Sequence, residues 1–284
     1  MRFFSFSHLT EADLYAIIII TSTRTVFLME NMVHQRTAGT LDVRVYASRK
    51  AMGDAAGRDI AETMRVLLAE KEEINMIFAA APSQNETLAA LVSEPGIDWT
   101  RVNAYHMDEY VGLDGDSPQS FSTYLREHIF GLVPFKSVNC IHGAAAADEE
   151  CARYGKLLAD NPVDIVCLGI GENGHIAFND PWVADFADPV KVKSVPLDDV
   201  CRNQQVHDGC FPTLDDVPKF ALTLTIPALT SASYMFCSVP AATKRDAVRR
   251  TVTEAITVDC PATIMRKHPH AVLYCDPDSG ADLL

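Results

Sequence analysis

Leu168-Gly169-Ile170-Gly171-Glu172-Asn173-Gly174-His175-Ile176-Ala177-Phe178-Asn179-Asp180-Pro181 is the stretch on which the reading of this chain turns. The apolar run 165–168 that leads into it reads as a buried strand bounded by turn residues. Three closely spaced glycines then let the backbone turn sharply and approach a ligand. Directly after the turn comes an imidazole, His175, with an amide before it and a carboxylate five residues beyond. In open α/β sheets, ligands bind at loops on the carboxyl ends of strands, and a histidine delivered there is a candidate acid–base group.

Working outward, strand-like and helix-like patterns alternate from Leu41 to the end of the chain. Expected strands are 41–46, 74–80, 101–105, 138–141, 165–168, 192–197, 220–226, 234–239 and 271–275. Expected helices are 49–70 behind a Ser48 cap, one from about Glu86, 121–130, 148–158 with Asp148 as cap, 199–206 and 243–252. This alternation predicts an α/β class fold: a single-domain, three-layer αβα structure, Rossmann-like, with a mostly parallel twisted sheet. One domain is expected over 41–284. Residues 1–40, with the isolated run Ala16-Ile17-Ile18-Ile19-Ile20, are expected to be a poorly ordered extension or to precede the natural start of translation. That run is much shorter than the roughly 20 apolar residues needed to span a bilayer. The acidic segment 182–189 is a candidate lid.

Composition narrows the function. The 284 residues are 48% hydrophobic and 22% charged, enough for a large core. A net charge of −14 argues against nucleic-acid binding, which needs a basic face, but leaves room for a small anion held by local Arg and Lys. Eight scattered cysteines without a repeated spacing fit reduced thiols in a cytoplasmic protein. Cys201, His207 and Cys210 lack zinc-site spacing, so no metal is expected. No membrane partner is expected either, and a homo-oligomer is left open.

Three strand ends offer polar groups: Ser83-Gln84-Asn85, Asp108-Glu109 and 173–180. If they converge, a carboxylate and an imidazole share one cleft, which suits proton transfer beside a carbonyl after opening of a sugar ring. Each also has a plainer explanation: Ser83 and Asn85 as helix caps, Asp108 as a turn residue, His175 as a buried turn histidine.

Met107-Asp108-Glu109-Tyr110-Val111-Gly112-Leu113 and Gly169 to Asn179 closely resemble segments of glucosamine-6-phosphate deaminases, as do Val217-Pro218-Lys219-Phe220-Ala221-Leu222-Thr223 and His268-Pro269. The likeness runs from about residue 41 to the C-terminus. The wider superfamily includes 6-phosphogluconolactonases, which share the Gly-x-Gly-x-x-Gly-His turn; the following Ile-Ala-Phe-Asn is the deaminase version. The resemblance implies conversion of an amino-sugar 6-phosphate into a ketose phosphate with release of ammonia, without a metal or organic cofactor. By position, Asp108 matches the carboxylate that moves a proton between C2 and C1. His175 matches the imidazole that opens the ring, supported by Asn173 and Asp180. Arg202 and Lys244 match the basic residues that hold the phosphate, and Ser83, Gln84, Asn85, Glu109 and Gly174 complete the expected substrate site. The alternatives are a galactosamine-6-phosphate deaminase or isomerase, a lactonase-like hydrolase, and a non-catalytic sugar-phosphate-binding regulator.

Asn173 stands where many members of the family have aspartate, which removes a negative charge near the imidazole, and two further departures carry their own expectations. Asp180 stands where the family usually has glutamate, a side chain longer by about 1.5 Å. The shorter carboxylate is expected to lose direct contact with His175, or to need a shifted backbone or a bridging water. Ala81-Pro82-Ser83-Gln84-Asn85 replaces a glycine-rich phosphate turn, leaving side chains and a helix N-terminus to bind the anion, with Glu86 opposed to it if it points inward.

Overall fold

The computed structural model describes residues 31–207 and 209–284. Eight strands form the main sheet, in the order β1-β2-β11-β10-β7-β3-β4-β6. They are β1 (Met32–Ala38), β2 (Leu41–Tyr46), β3 (Ile74–Phe78), β4 (Val102–His106), β6 (Ser137–Asn139), β7 (Ile165–Leu168), β10 (Tyr234–Val239) and β11 (Ala271–Cys275). All neighbours pair in parallel except the β1–β2 hairpin. The remaining strands, β5 (Asp108–Tyr110), β8 (Val192–Pro196) and β9 (Phe220–Leu224), form a small antiparallel sheet.

The alternating strand faces explain the layers. Ile165 and Cys167 point into a core shared with Met52, Ile60 and Met64 of α1 (Arg49–Glu70), Leu88 and Leu91 of α2 (Asn85–Ser93), and Leu125 of α3 (Phe121–Leu125). Val166 and Leu168 belong to the opposite core. That core contains Tyr154 and Leu158 of α4 (Ala147–Asp160), Leu229 of α6 (Ile226–Thr230), and Val248 and Val252 of α7 (Arg245–Thr253). A further helix, α5 (Asp199–His207), lies between β8 and β9 in sequence. The seven cysteines described in full are free thiols.

The single αβα domain agrees with expectation, and four details do not. Residues 31–40 are not an unstructured lead-in: β1 pairs along β2 from Met32↔Tyr46 to Ala38↔Leu41. The expectation for residues 1–30 lies outside the described residues. Strands at 192–196 and 220–224 leave the main sheet for the small one, because antiparallel partners need no helical crossover and can add β5 directly after β4. Asp148 sits inside the first turn of α4, whose N-cap is Ala146. Finally, 126–130 continues α3 as a π-helical turn.

Strand order also places the crevice. From β3 the chain moves outward to β4 and β6, then returns to the other side of β3 as β7 and proceeds to β10 and β11. The carboxyl ends of β3 and β7 are therefore a topological switch point, where loops diverge and leave a cleft.

Candidate active site

A solvent-open cleft lies at that switch point, lined from the loops after β3, β7 and β10 and from Asp108 of β5. Of the residues singled out in the sequence, Ser83, Gln84, Asp108, His175 and Lys244 line it. Asn85, Glu109, Asn173, Gly174, Asp180 and Arg202 stand outside the lining and act on the site, where they do, through other groups.

The loop after β7 is built around its histidine. Gly171 N–H donates to His175 O (2.9 Å) and Gly174 N–H to Gly171 O (3.0 Å), with Gly174 at φ +92°. At Gly171 a Cβ would lie 2.2 Å from His175 Nε2, so the ring rests on the bare backbone of this glycine. At Gly174 it would lie 2.5 Å from Cys260 Sγ, which makes this glycine a packing requirement. Asn173 Oδ1 accepts from His175 N–H (3.0 Å), and its Nδ2 donates to Asp180 Oδ1 (2.7 Å).

Asp180 does reach the histidine: Oδ1 lies 2.9 Å from His175 Nδ1, with the carboxylate side chain 1% exposed. Of the expected outcomes, loss of direct contact is overturned and no bridging water is needed, which leaves the course of the backbone as the route. The chain closes on itself between Ile176 and Asn179, with Ala177 in the left-handed region at φ +49°, and this tight turn carries residue 180 back beneath the imidazole. Asn179 fixes the turn by donating to Ile176 O (2.9 Å) and to Leu224 O of β9 (2.8 Å). A carboxylate accepting at Nδ1 places the ring hydrogen there and leaves Nε2 as the proton acceptor; this tautomer follows from the hydrogen-bond network.

Asp108 begins β5, paired with Thr223 of β9, and is only 8% exposed. Burial pushes its carboxyl well above the usual carboxylate range, and adjacent Glu109 pushes it the same way. Behind it, buried His106 accepts from Ile141 N–H at Nε2 (2.8 Å), and burial brings its pKa down to about 4. A neutral imidazole thus ties the end of β4 to the chain after β6.

Glu109 is a structural group. Its carboxylate accepts from the N–H groups of Tyr110 (3.0 Å), Phe121 (3.1 Å) and Ser122 (3.0 Å), holding the start of α3 against β5. Burial raises its pKa, opposed by these hydrogen bonds. Its expected role at the substrate is not supported by this geometry.

In the loop after β3, Ser83 and Gln84 line the cleft as expected, and the loop is held by contacts of its own side chains. Gln84 is buried and donates to Ser83 Oγ (3.0 Å) and Ser238 O (3.2 Å), tying this loop to β10. Asn85 accepts from the Tyr124 hydroxyl, which also reaches Ala81 O (2.6 Å). Glu86 pairs with Arg49, Oε1 to Nε at 2.8 Å.

Arg202 is engaged outside the lining of the cleft. Its guanidinium donates to Leu214 O (2.5 Å), Val217 O (3.2 Å) and Asp199 Oδ1 (3.0 Å), stapling α5 to the chain before β9. Lys244, at the start of α7, lines the cleft and is buried. Gln205 and Cys210 also line it, whereas the expected lid at 182–189 does not; its Asp188 is held by Lys193 of β8 (2.8 Å). Arg49, Gln205 and Ala241 were missed in the sequence. Only Arg49 had a readable signal, its four-residue spacing from Gly53 and Gly57.

The chain is similar to known proteins in sequence and fold. A family model described as glucosamine-6-phosphate isomerases/6-phosphogluconolactonase matches residues 47–179. The glucosamine-6-phosphate deaminase of Listeria monocytogenes is 32% identical over 210 residues, covering 74% of this chain and 88% of that protein. The one from Lactobacillus delbrueckii is 32% identical over 196 residues, covering 66% and 78%. Among solved structures, a monomeric glucosamine-6-phosphate deaminase superposes with TM-score 0.76 at 26% identity, over 84% of this chain and 98% of that one. A 6-phosphogluconolactonase from Thermotoga maritima superposes with TM-score 0.68 at 19% identity, over 83% and 99%, a likeness of fold.

Proposed function

Because the chain belongs to the glucosamine-6-phosphate deaminase family, we propose that it converts glucosamine 6-phosphate and water into the ketose 6-phosphate and ammonia. The observation that carries this reading is the pairing of two differently prepared acid–base groups on one cleft. His175 is oriented by Asp180, and Asp108 is held in a nearly dry position.

In the proposed sequence, His175 moves a proton between O1 and the ring oxygen, so the C1–O5 bond breaks and the sugar opens to its aldehyde. Asp108 then takes the proton from C2. The electron pair passes through C1 to the carbonyl oxygen, which takes a proton from the substrate's 2-ammonium group, giving an enolamine; return of the Asp108 proton to C1 leaves a C1 hydroxymethyl group and a C2 iminium. Water adds to C2, the C–N bond breaks, and ammonia leaves behind a C2 ketone. A high carboxyl pKa suits Asp108, because the same group must accept the proton and give it back. Lys244, which lines the cleft, holds the 6-phosphate as a point charge.

Loss of the C–N bond to water makes the overall reaction hydrolytic, with isomerisation as its first half. Its place is the breakdown of amino sugars derived from N-acetylglucosamine, in the cytoplasm. Among the described residues no helix is long and apolar enough to cross a membrane.

The test is incubation with glucosamine 6-phosphate, galactosamine 6-phosphate and 6-phosphogluconolactone. Ammonia and ketose phosphate in equal amounts from the first are expected. Ammonia from the galacto epimer alone would reassign the sugar, acid release from the lactone alone would make it a lactonase, and binding without product would make it a regulator.

A further inference from the structure

The arginine expected at the phosphate is committed elsewhere, but another arginine lines the cleft. Arg49, Gly53 and Gly57 are spaced by four residues on α1 and so share one face of that helix. On this face α1 packs very closely against α2. A Cβ at Gly53 would lie 2.3 Å from Glu86 Cβ, and one at Gly57 2.6 Å from Ala90 Cβ. The missing side chains let the two backbones approach, and one turn earlier the same face carries Arg49 to the start of α2. There Nη2 donates to Pro82 O (2.5 Å), and Nε lies 2.8 Å from Glu86 Oε1. The side chain remains 38% exposed and lines the cleft with Ser83 and Lys244.

We infer that Arg49 is a substrate-binding residue that holds the 6-phosphate together with Lys244 and Ser83. This inference rests on the sugar-phosphate reading above. It gives the altered turn after β3 a consistent chemistry. Without glycines, Ala81-Pro82-Ser83 cannot wrap an anion in backbone N–H groups, and a planar guanidinium fixed to the Pro82 carbonyl presents donors there instead. Glu86, which facing the cleft would repel phosphate, instead serves as the anchor of the guanidinium. One guanidinium nitrogen is hydrogen-bonded to the Pro82 carbonyl and the group is in ion-pair contact with Glu86, so it is oriented before any ligand arrives.

The test uses the full chain and the variants Arg49→Gln, Arg49→Lys and the double variant Arg49→Gln/Glu86→Gln, which leaves no unpaired carboxylate. Arg49→Gln is expected to raise KM for glucosamine 6-phosphate by about 10–100-fold, with a smaller effect on kcat, as expected when a charge-assisted hydrogen bond to the substrate is lost. Arg49→Lys should recover only part of this, because an ammonium keeps the charge without the fork. Inorganic phosphate, titrated calorimetrically, should bind both glutamine variants about tenfold more weakly than the parent or worse. A merely structural role would lower the melting temperature and leave phosphate affinity and KM unchanged, and that result overturns the inference. If the parent protein turns over no amino sugar, the function proposed above fails. The phosphate titration still decides Arg49, since equal affinity in parent and variants refutes it.

Discussion

Asp180 Oδ1 sits between two donors, His175 Nδ1 at 2.9 Å and Asn173 Nδ2 at 2.7 Å. The carboxylate therefore sets the orientation of the imidazole, and Asn173 sets the orientation of the carboxylate. A group one methylene shorter than glutamate suffices because the 176–179 turn brings the backbone of residue 180 close to the ring. Asp180→Ala should therefore lower kcat on the closed sugar by about 10²–10³-fold, within the range ascribed to general acid–base groups. KM should change little, since Asp180 does not line the cleft. Ammonia release under saturating substrate checks this; a kcat within threefold of the parent would remove Asp180 from the mechanism.

Gly171→Ala tests the seat of the ring. A methyl group 2.2 Å from His175 Nε2 has to displace the imidazole, and a shift of about 1 Å can cost about 10²-fold in rate. The variant should fold, lose activity, and show an altered His175 resonance in NMR spectra. Full activity would mean that the ring's position over Gly171 is unimportant.

Ala241 lies in the loop after β10 with φ +83° and ψ 148°, a region that is nearly glycine-only. Its N–H donates to Asp276 Oδ2 (3.0 Å), which helps hold the conformation. Relief of strain worth about 1–3 kcal/mol, less about 0.5–1 kcal/mol for the flexibility of glycine, predicts that Ala241→Gly is stabilising by about 1 kcal/mol. That corresponds to a rise in melting temperature of about 2–4 °C, readable by calorimetry. A fall would show that the alanine conformation carries no strain.

Asp108 couples activity to stability through pH. Its pKa is higher folded than unfolded, so the folded protein binds this proton more tightly than the unfolded chain does. Its burial costs least below the unfolded value, about 3.9, and stability is lost as pH rises through the folded value. Asp108→Asn should abolish exchange of the C2 proton and flatten that part of the pH–stability curve, leaving the variant more stable than the parent at pH 8. Denaturation at pH 5 and pH 8, with C2 exchange followed in deuterium oxide, checks both halves. Exchange at the parental rate would exclude Asp108 as the base.

Glu109→Gln should act on the fold. Its carboxylate accepts from three N–H groups, and an amide would turn its own NH2 toward one of them. A loss of about 1–3 kcal/mol is expected, the cost of an unmatched buried donor, with KM nearly unchanged in the folded fraction. A large KM increase at parental stability would instead place Glu109 at the substrate.

The sequence by itself determined the αβα class, most of the elements, and the residues delivered by the strand ends. These are set locally: period-two and period-3.6 apolar patterns mark the elements, and the Gly171–His175 turn needs its own glycines. Family resemblance extended that reading to the chemistry of Asp108 and His175. Tertiary structure alone decided which polar groups face the cleft. Glu109 and Asp108 are chain neighbours on a strand, so their side chains point to opposite faces, one toward α3 and one toward the cleft. Arg202 found backbone carbonyls at Leu214 and Val217, and Arg49 was carried in across the Gly53 and Gly57 contact, 33 residues before the loop it meets at Pro82. The stretch 168–181 shows the same division. Its composition announced a histidine on a glycine turn, and only the closure of the 176–179 turn brought Asp180 within 2.9 Å of it.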